Sequence, residues 1–123
     1  MFYEINGKVL RTQMFEVSFD HDVREVISYD KLFIVLLNPF DSNGKAILGL
    51  SSNIYGLSAF GEIVWQVQNP RVFFENCTVE GDGVFVGIDR GEDNAFSALT
   101  FSSLRCTCDC QTGKLLGKER MYW

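Results

Sequence analysis

Apolar residues recur at alternate positions through most of the chain, in KVLRTQMFEVSF (8–19), KLFIVLL (31–37), NIYGLS (53–58), EIVWQV (62–67), RVFFENCTV (71–79), GVFVGI (83–88), AFSALTF (95–101) and LRCTCDC (104–110). A period of two puts every second side chain on one face of an extended strand, and the Val, Ile, Phe, Tyr and Thr content suits a pleated surface. Turn-forming runs separate the segments: NGK, YDK, DSNGK, FGE, EGDG, DRGEDN and TGK. The pattern predicts an all-β chain. One stretch offers a helix instead, because Asp22 and Glu25 have capping-box spacing ahead of VREVISYDKLF. An internal repeat decides for strands there.

Set 52 residues apart, ISYDKLFIVL (27–36) lies over VEGDGVFVGI (79–88), with Asp30 over Asp82 and Phe33 over Phe85. EGDG reads as a tight hairpin turn, and SYDK as its counterpart. A polar loop follows in each copy (NPFDSNG, then DRGEDN), then a small-apolar strand (KAILGL, then AFSALTF), then a closing hairpin. Gly7, Gly61 and Gly113 stand 54 and 52 residues apart at similar closing turns. Periods of this size signal stacked supersecondary units. The repeat units run over approximately 23–68 and 75–120, and N-terminal strands within 1–19 are expected to complete one of the sheets.

The closing hairpins, IYGLSAFGEIVW and RCTCDCQTGKLL, resemble the outer hairpin of quinoprotein-like (pyrroloquinoline-quinone-type) propeller repeats. Tyr55, Leu57, Ala59, Gly61 and Trp65 fit that pattern in the first copy; Asp109, Thr112, Gly113 and Lys114 fit it in the second. Ser58 and Gly117 depart from it, standing where Asp and Trp are expected, and the first turn is one residue short. The resemblance spans most of residues 23–118 and implies four-stranded blades, but no quinone cofactor and no dehydrogenase activity. Propellers need four or more blades to close, so two units and a fragment leave the ring open. The expected fold is a single domain, 1–123, of two antiparallel blade-like sheets from an internal duplication, an incomplete propeller or sandwich-like arrangement.

Composition narrows function by exclusion. The chain has 123 residues, 46% of them apolar, which suits one compact domain. The longest apolar run, Leu32–Leu37, is too short to cross a bilayer, and the N-terminal MFYEINGKVL has no secretory pattern. A cytoplasmic location is expected, with no membrane partner. Sixteen carboxylates against eleven Lys and Arg give a net charge of −5, which disfavours nucleic acid and favours a basic protein. Cys106, Cys108 and Cys110 alternate on one strand, too extended to wrap a zinc ion, and read as buried core; Cys77 could supply a fourth thiolate from a neighbouring strand, but nothing in the spacing requires it. No metal, cofactor or disulfide framework is expected.

Catalytic motifs are absent from the sequence: it holds no nucleophile elbow, phosphate loop or zinc-helix signature, and its sole histidine, His21, sits between Asp20 and Asp22 in a turn. The expectation is therefore no enzyme but a binding protein. Its partner-binding residues are Asp89, Glu92 and Asp93 in the second polar loop, Asp41 in the first, and Asp30 and Asp82 at the hairpin tips. Because the copies share one strand order, the two polar loops should emerge on one side. Size, acidity and lack of catalytic residues are similar to the profile of bacterial toxin-immunity proteins, such as those of contact-dependent growth inhibition. That profile implies a cognate basic toxin, often a nuclease, whose active site is covered. The alternative is a structural propeller-like module that oligomerises edge to edge, or homodimerises through open sheet edges. A ligand or metal site at the cysteines is a third option. Trp123, closing RMYW, is expected to pack back against the domain.

Overall fold

A computed structural model of the chain describes residues 2–47 and 49–121. Trp123, and with it the expectation that it packs back, lies outside them. Three antiparallel sheets follow one another along the chain, each with its strands in sequence order. The N-terminal sheet holds β1 (Glu4–Asn6), β2 (Val9–Arg11) and β3 (Glu16–Ser18). The middle sheet holds β4 (Val23–Ser28), β5 (Leu32–Leu37), β6 (Ile54–Ser58) and β7 (Ile63–Gln66). A linker carrying the one-turn helix α1 (Pro70–Phe73) and a 3₁₀ turn (Glu80–Gly83) leads to the C-terminal sheet. That sheet holds β8 (Phe85–Arg90), β9 (Ala95–Thr100), β10 (Leu104–Asp109) and β11 (Leu115–Arg120). The fold is all-β and multi-sheet.

The middle sheet is covered on both faces, which accounts for the almost unbroken apolar run of β5. Ile34 and Leu36 point one way, with Ile27, Ile54 and Trp65, and pack on Phe85, Ile88, Phe96, Leu104, Cys106 and Cys108 of the C-terminal sheet. Phe33, Val35 and Leu37 point the other way, with Leu57, and pack on Leu10, Phe15 and Phe19 of the N-terminal segment. In the C-terminal sheet β9 and β10 keep a clean alternation, as strands of one-sided sheets do. Along β10, Leu104, Cys106 and Cys108 are buried while Arg105 and Thr107 are exposed.

Two polar side chains stitch the middle sheet to the C-terminal one. Asn53, fully buried, donates from Nδ2 to the carbonyls of Leu37 and Phe85 and accepts from the Phe85 amide, each at 2.8 Å. Trp65 donates from Nε1 to the Cys110 carbonyl at 2.8 Å and stacks on Phe96, with ring centroids 5.7 Å apart. Its indole lies flat between two glycines. A Cβ at Gly56 would come within 2.2 Å of it and one at Gly113 within 2.4 Å. Gly113 also holds φ +72, a region that disfavours side chains.

Strand edges are guarded. β4 and β8, the inner edges, lie side by side: Arg24 Nε donates to the Val86 carbonyl (2.9 Å), and Glu25 accepts from the Ile88 amide (3.1 Å). These side chains stand in for a missing strand. The outer edges, β7 and β11, are each bulged: their registers shift at Gly56/Leu57 and Thr107/Cys108, leaving Val64 and Leu116 unpaired and exposed. A bulge twists the strand and ends regular pairing.

Several sequence expectations are corrected. The N-terminal strands pair with one another as a third sheet and complete neither of the others. RVFFENCTV is no strand: Asn69 caps α1 by accepting from the Arg71 amide, and Pro70, lacking an amide hydrogen, suits the first helical turn. EGDG is a 3₁₀ turn rather than a hairpin, because β8 pairs with β9 after it and not with a strand before it. KAILGL contributes only an isolated bridge from Ala46 to Phe40, with Leu48 outside the described residues. The alignment of Phe33 with Phe85 matches a second strand, β5, to a first strand, β8. Of the segments aligned in sequence, only the closing hairpins, β6–β7 and β10–β11, fall at equivalent places in their sheets.

Candidate functional site: an acidic end of the stack

The β4–β5 turn and the β8–β9 loop meet at one end of the molecule. Arg90, the last residue of β8, lays its guanidinium over the Tyr29 ring at 4.4 Å from the centroid and donates to the Ser28 carbonyl. Tyr29 in turn accepts from the Cys110 thiol at 3.7 Å, and the Cys110 amide donates to the Asn94 carbonyl at 2.7 Å. Burial pushes the Tyr29 hydroxyl up to about 12, so it stays a neutral phenol. Three turns from two sheets are thereby tied together.

On this base stand Asp30, Asp89, Glu92 and Asp93, all exposed. Asp30 follows Tyr29 and Asp89 precedes Arg90, so the Tyr29–Arg90 contact brings their backbones to the same end. The loop between β8 and β9 is closed by backbone bonds from Gly91 to the Ala95 carbonyl and from Ala95 to the Glu92 carbonyl, both 3.1 Å. Asp93 takes φ +55, a conformation Asp tolerates better than most residues. Asp109 sits at the same end, paired in register with Ala95. None of these carboxylates forms an ion pair within the described residues, where the ion pairs are Arg11–Glu16 and Arg120–Asp82.

Asp41 and Asp82 are placed elsewhere. The loop after β5 leaves the opposite end of the sheet, where Phe40 packs on Phe101 at 6.0 Å in the short β9–β10 connection. The two polar loops therefore emerge at opposite ends, a correction that follows from β5 being a second strand and β8 a first. Asp41 lines a cleft of about 300 Å³ with Lys8, Asp20, His21, Asp22 and Asn38. Gly7 belongs to this end too, its carbonyl accepting from Val23, so its turn lies opposite those of Gly61 and Gly113. Asp82 is fully buried and is not at any tip. Its carboxylate accepts from Arg120 at 2.8 Å and from the Ser102 hydroxyl. Burial alone would raise its pKa, but the Arg120 and Ser102 hydrogen bonds and the guanidinium charge hold it below the ordinary carboxylate range.

The cysteines are all buried as free thiols. Burial pushes Cys106 up to about 12 and Cys108 higher still, so neither supplies a thiolate near neutral pH. Among the described residues, no group of three or more His, Cys, Asp or Glu is placed to hold a metal ion, and no helix is long and apolar enough to cross a membrane. Tyr29 and Arg90, which build the acidic end, carry no motif. Their one sequence signal is position, at the margins of a hairpin turn and a loop. A comparison with curated proteins finds no match. A family model described as a domain of unknown function (DUF7957) matches residues 1–120, and the chain belongs to that family.

Proposed function

We propose that this chain is a non-catalytic binding protein that captures a basic protein through its acidic end, as the immunity partner of a bacterial toxin does. The observation that carries the reading is the convergence of Asp30, Asp89, Glu92 and Asp93 on turns fixed by the Tyr29–Arg90–Cys110 contacts. Carboxylates without internal cations attract a basic surface over several ångströms and gain strength once water is excluded. A rigid base lowers the ordering cost of that capture. The middle and C-terminal sheets are read as two propeller-like blades: both are four-stranded meanders, and the tryptophan of the first closing hairpin seats on the glycine turn of the second.

The alternative, edge-to-edge assembly into a larger ring, is less favoured. Bulges at the outer edges and side-chain capping at the inner ones leave no long regular strand for another chain to extend. The test is co-expression with the product of the adjacent reading frame, followed by purification and sedimentation. A one-to-one complex that weakens when Asp30, Asp89, Glu92 and Asp93 become amides supports the reading. A complex indifferent to those changes, or a ring of this chain alone, overturns it.

A further inference from the structure

The outward face of the C-terminal sheet has no neighbouring sheet, and its residues can be laid out from the strand register. One row across the sheet reads Asp89, Ser97, Thr107, Gly117; the next reads Gly87, Leu99, Arg105, Glu119. Asp109 lies one row further along β10 toward the acidic end, opposite Ala95. The first row is low and flat, because Ser97, Thr107 and Gly117 raise little above the backbone, while Leu99 and Arg105 stand higher in the second. Carboxylates ring these rows: Asp89 at the β8 edge, Asp109 at the turn end, Glu119 at the β11 edge. At the β8 edge lies a slot of about 160 Å³ between Glu25, Asp89, Ser97 and Arg105. One Glu25 oxygen is engaged by the Ile88 amide, while the other reaches to within 3.9 Å of where a Gly87 Cβ would stand.

The opposite outer surface of the molecule makes the contrast. On the N-terminal sheet Arg11 and Glu16 neutralise each other at 2.6 Å. On the C-terminal sheet's outward face Asp89, Asp109 and Glu119 are in no ion pair among the described residues, although Arg105 stands among them. The C-terminal face thus sets three carboxylates against Arg105, while on the N-terminal sheet Glu4 and Glu16 flank Arg11 in register. A low row suits close approach of a folded surface, and a slot at its margin with two carboxylates, Glu25 and Asp89, against one guanidinium, Arg105, suits one long cationic side chain.

We propose that this outward face, continuous with the acidic end, is where the basic partner seats, with one lysine or arginine side chain entering the slot beside Glu25 and Asp89. The proposal rests on the reading of the acidic end as a binding surface for a basic protein. It is tested with the full chain and an oligo-arginine peptide at near-physiological salt, following backbone amide shifts by NMR. Ser97→Arg and Thr107→Arg place long cations at the centre of the face on solvent-directed positions, with retained amide dispersion as the check on folding. The expected result is shifts at Asp89, Ser97, Thr107 and Asp109, and affinity weakened about tenfold or more by either variant, a change of about 1.4 kcal/mol. If amidation of Asp30, Glu92 and Asp93 weakens the peptide while Ser97→Arg does not, the face is not the seat and the acidic end alone remains. If neither set matters, if the peptide does not bind, or if shifts gather at Asp20, Asp22 and Asp41, both readings fall. If wild type self-associates and Ser97→Arg disperses it, the occupant is a second copy and the proposal is overturned.

Discussion

The face of the middle sheet that meets the C-terminal sheet carries Ile34, Leu36, Ile54 and Trp65, whereas the opposite face carries Phe33, Val35, Leu37 and Leu57. Both are apolar, yet they are fastened differently. Across the first, Trp65 and Asn53 make directional hydrogen bonds to backbone groups of the other sheet or its turns. Across the second, contact is dominated by packing, such as Phe15 edge-on to Phe33 at 5.5 Å, with a backbone bond from Val23 to the Gly7 carbonyl and a long bond from the Tyr3 hydroxyl to the Val26 carbonyl (3.5 Å) beside it. Apolar burial drives association without fixing orientation, while hydrogen bonds tolerate little misalignment. The middle and C-terminal sheets are thus held as one body that presents the acidic end, and the N-terminal sheet serves as its cover.

The largest test of that difference is Trp65→Ala. It removes the stack on Phe96, opens space against two glycines and strands the Cys110 carbonyl, at an expected cost of about 3–5 kcal/mol by urea unfolding. Trp65→Phe keeps most of the packing, so its cost isolates the polar bond at about 1–3 kcal/mol. A neutral Trp65→Phe would erase the contrast between the two interfaces. Asn53→Leu follows, at about 3 kcal/mol, because the Phe85 amide and the two carbonyls it serves are left buried without partners.

The Asp82–Arg120 pair sharpens the same comparison within the C-terminal sheet, tying β11 to the 3₁₀ turn. Arg120→Ala leaves a buried carboxylate short of its cation, at about 2–3 kcal/mol once the partial exposure of Arg120 is allowed for. The sign with pH is set by the lowered Asp82 pKa. Its stabilisation is fully present above the unfolded carboxylate value of about 3.9 and is lost as pH falls through the still lower folded value. Chemical denaturation measured from pH 6 downward should show this acid limb in wild type and a shallower one in Asp82→Asn.

Thiol labelling reports which interface has opened. With Cys106 up at about 12 and Cys108 above it, labelling at pH 8 should wait for an opening event rather than for ionisation at the surface. Trp65→Ala should speed labelling of the β10 thiols several-fold. Phe15→Ala, on the far face of the middle sheet, should leave their rate close to wild type. Equal acceleration by both would mean that the three sheets open as one unit.

Strands with alternating patterns were legible because burial on one face writes itself into every second residue, as β9 and β10 show. The buried cysteines were legible for the same reason. The N-terminal sheet was not, since its strands of three residues are too short to show which neighbour they pair with. The repeat misled at Asp82: a Gly-rich EGDG fits a hairpin and a 3₁₀ turn equally well, and only the distant Arg120 decides that the carboxylate turns inward. Strand matching failed where the chain spends sixteen residues between β5 and β6 but three between β9 and β10. An offset that aligns the closing hairpins then slips the opening strands by one, and with them the end at which each loop emerges. Of the acidic residues read from sequence, those tied to Tyr29 and Arg90 came together because strand order, rather than any motif, put them there.

The smallest expected effect falls on the cover. Arg11 and Glu16 form the more exposed of the two ion pairs among the described residues, cross-strand neighbours on β2 and β3 at 2.6 Å. Both side chains are more than half exposed, so water and salt screen the attraction, and ordering two long side chains offsets what remains. Arg11→Ala should leave the unfolding midpoint unchanged within error at moderate salt. Leu10→Ala, one residue away and fully buried against the middle sheet, should cost about 2–5 kcal/mol. If instead the Arg11 change matched the Leu10 change, the N-terminal sheet would be held by surface charge, and the account of it as an apolar cover would fail.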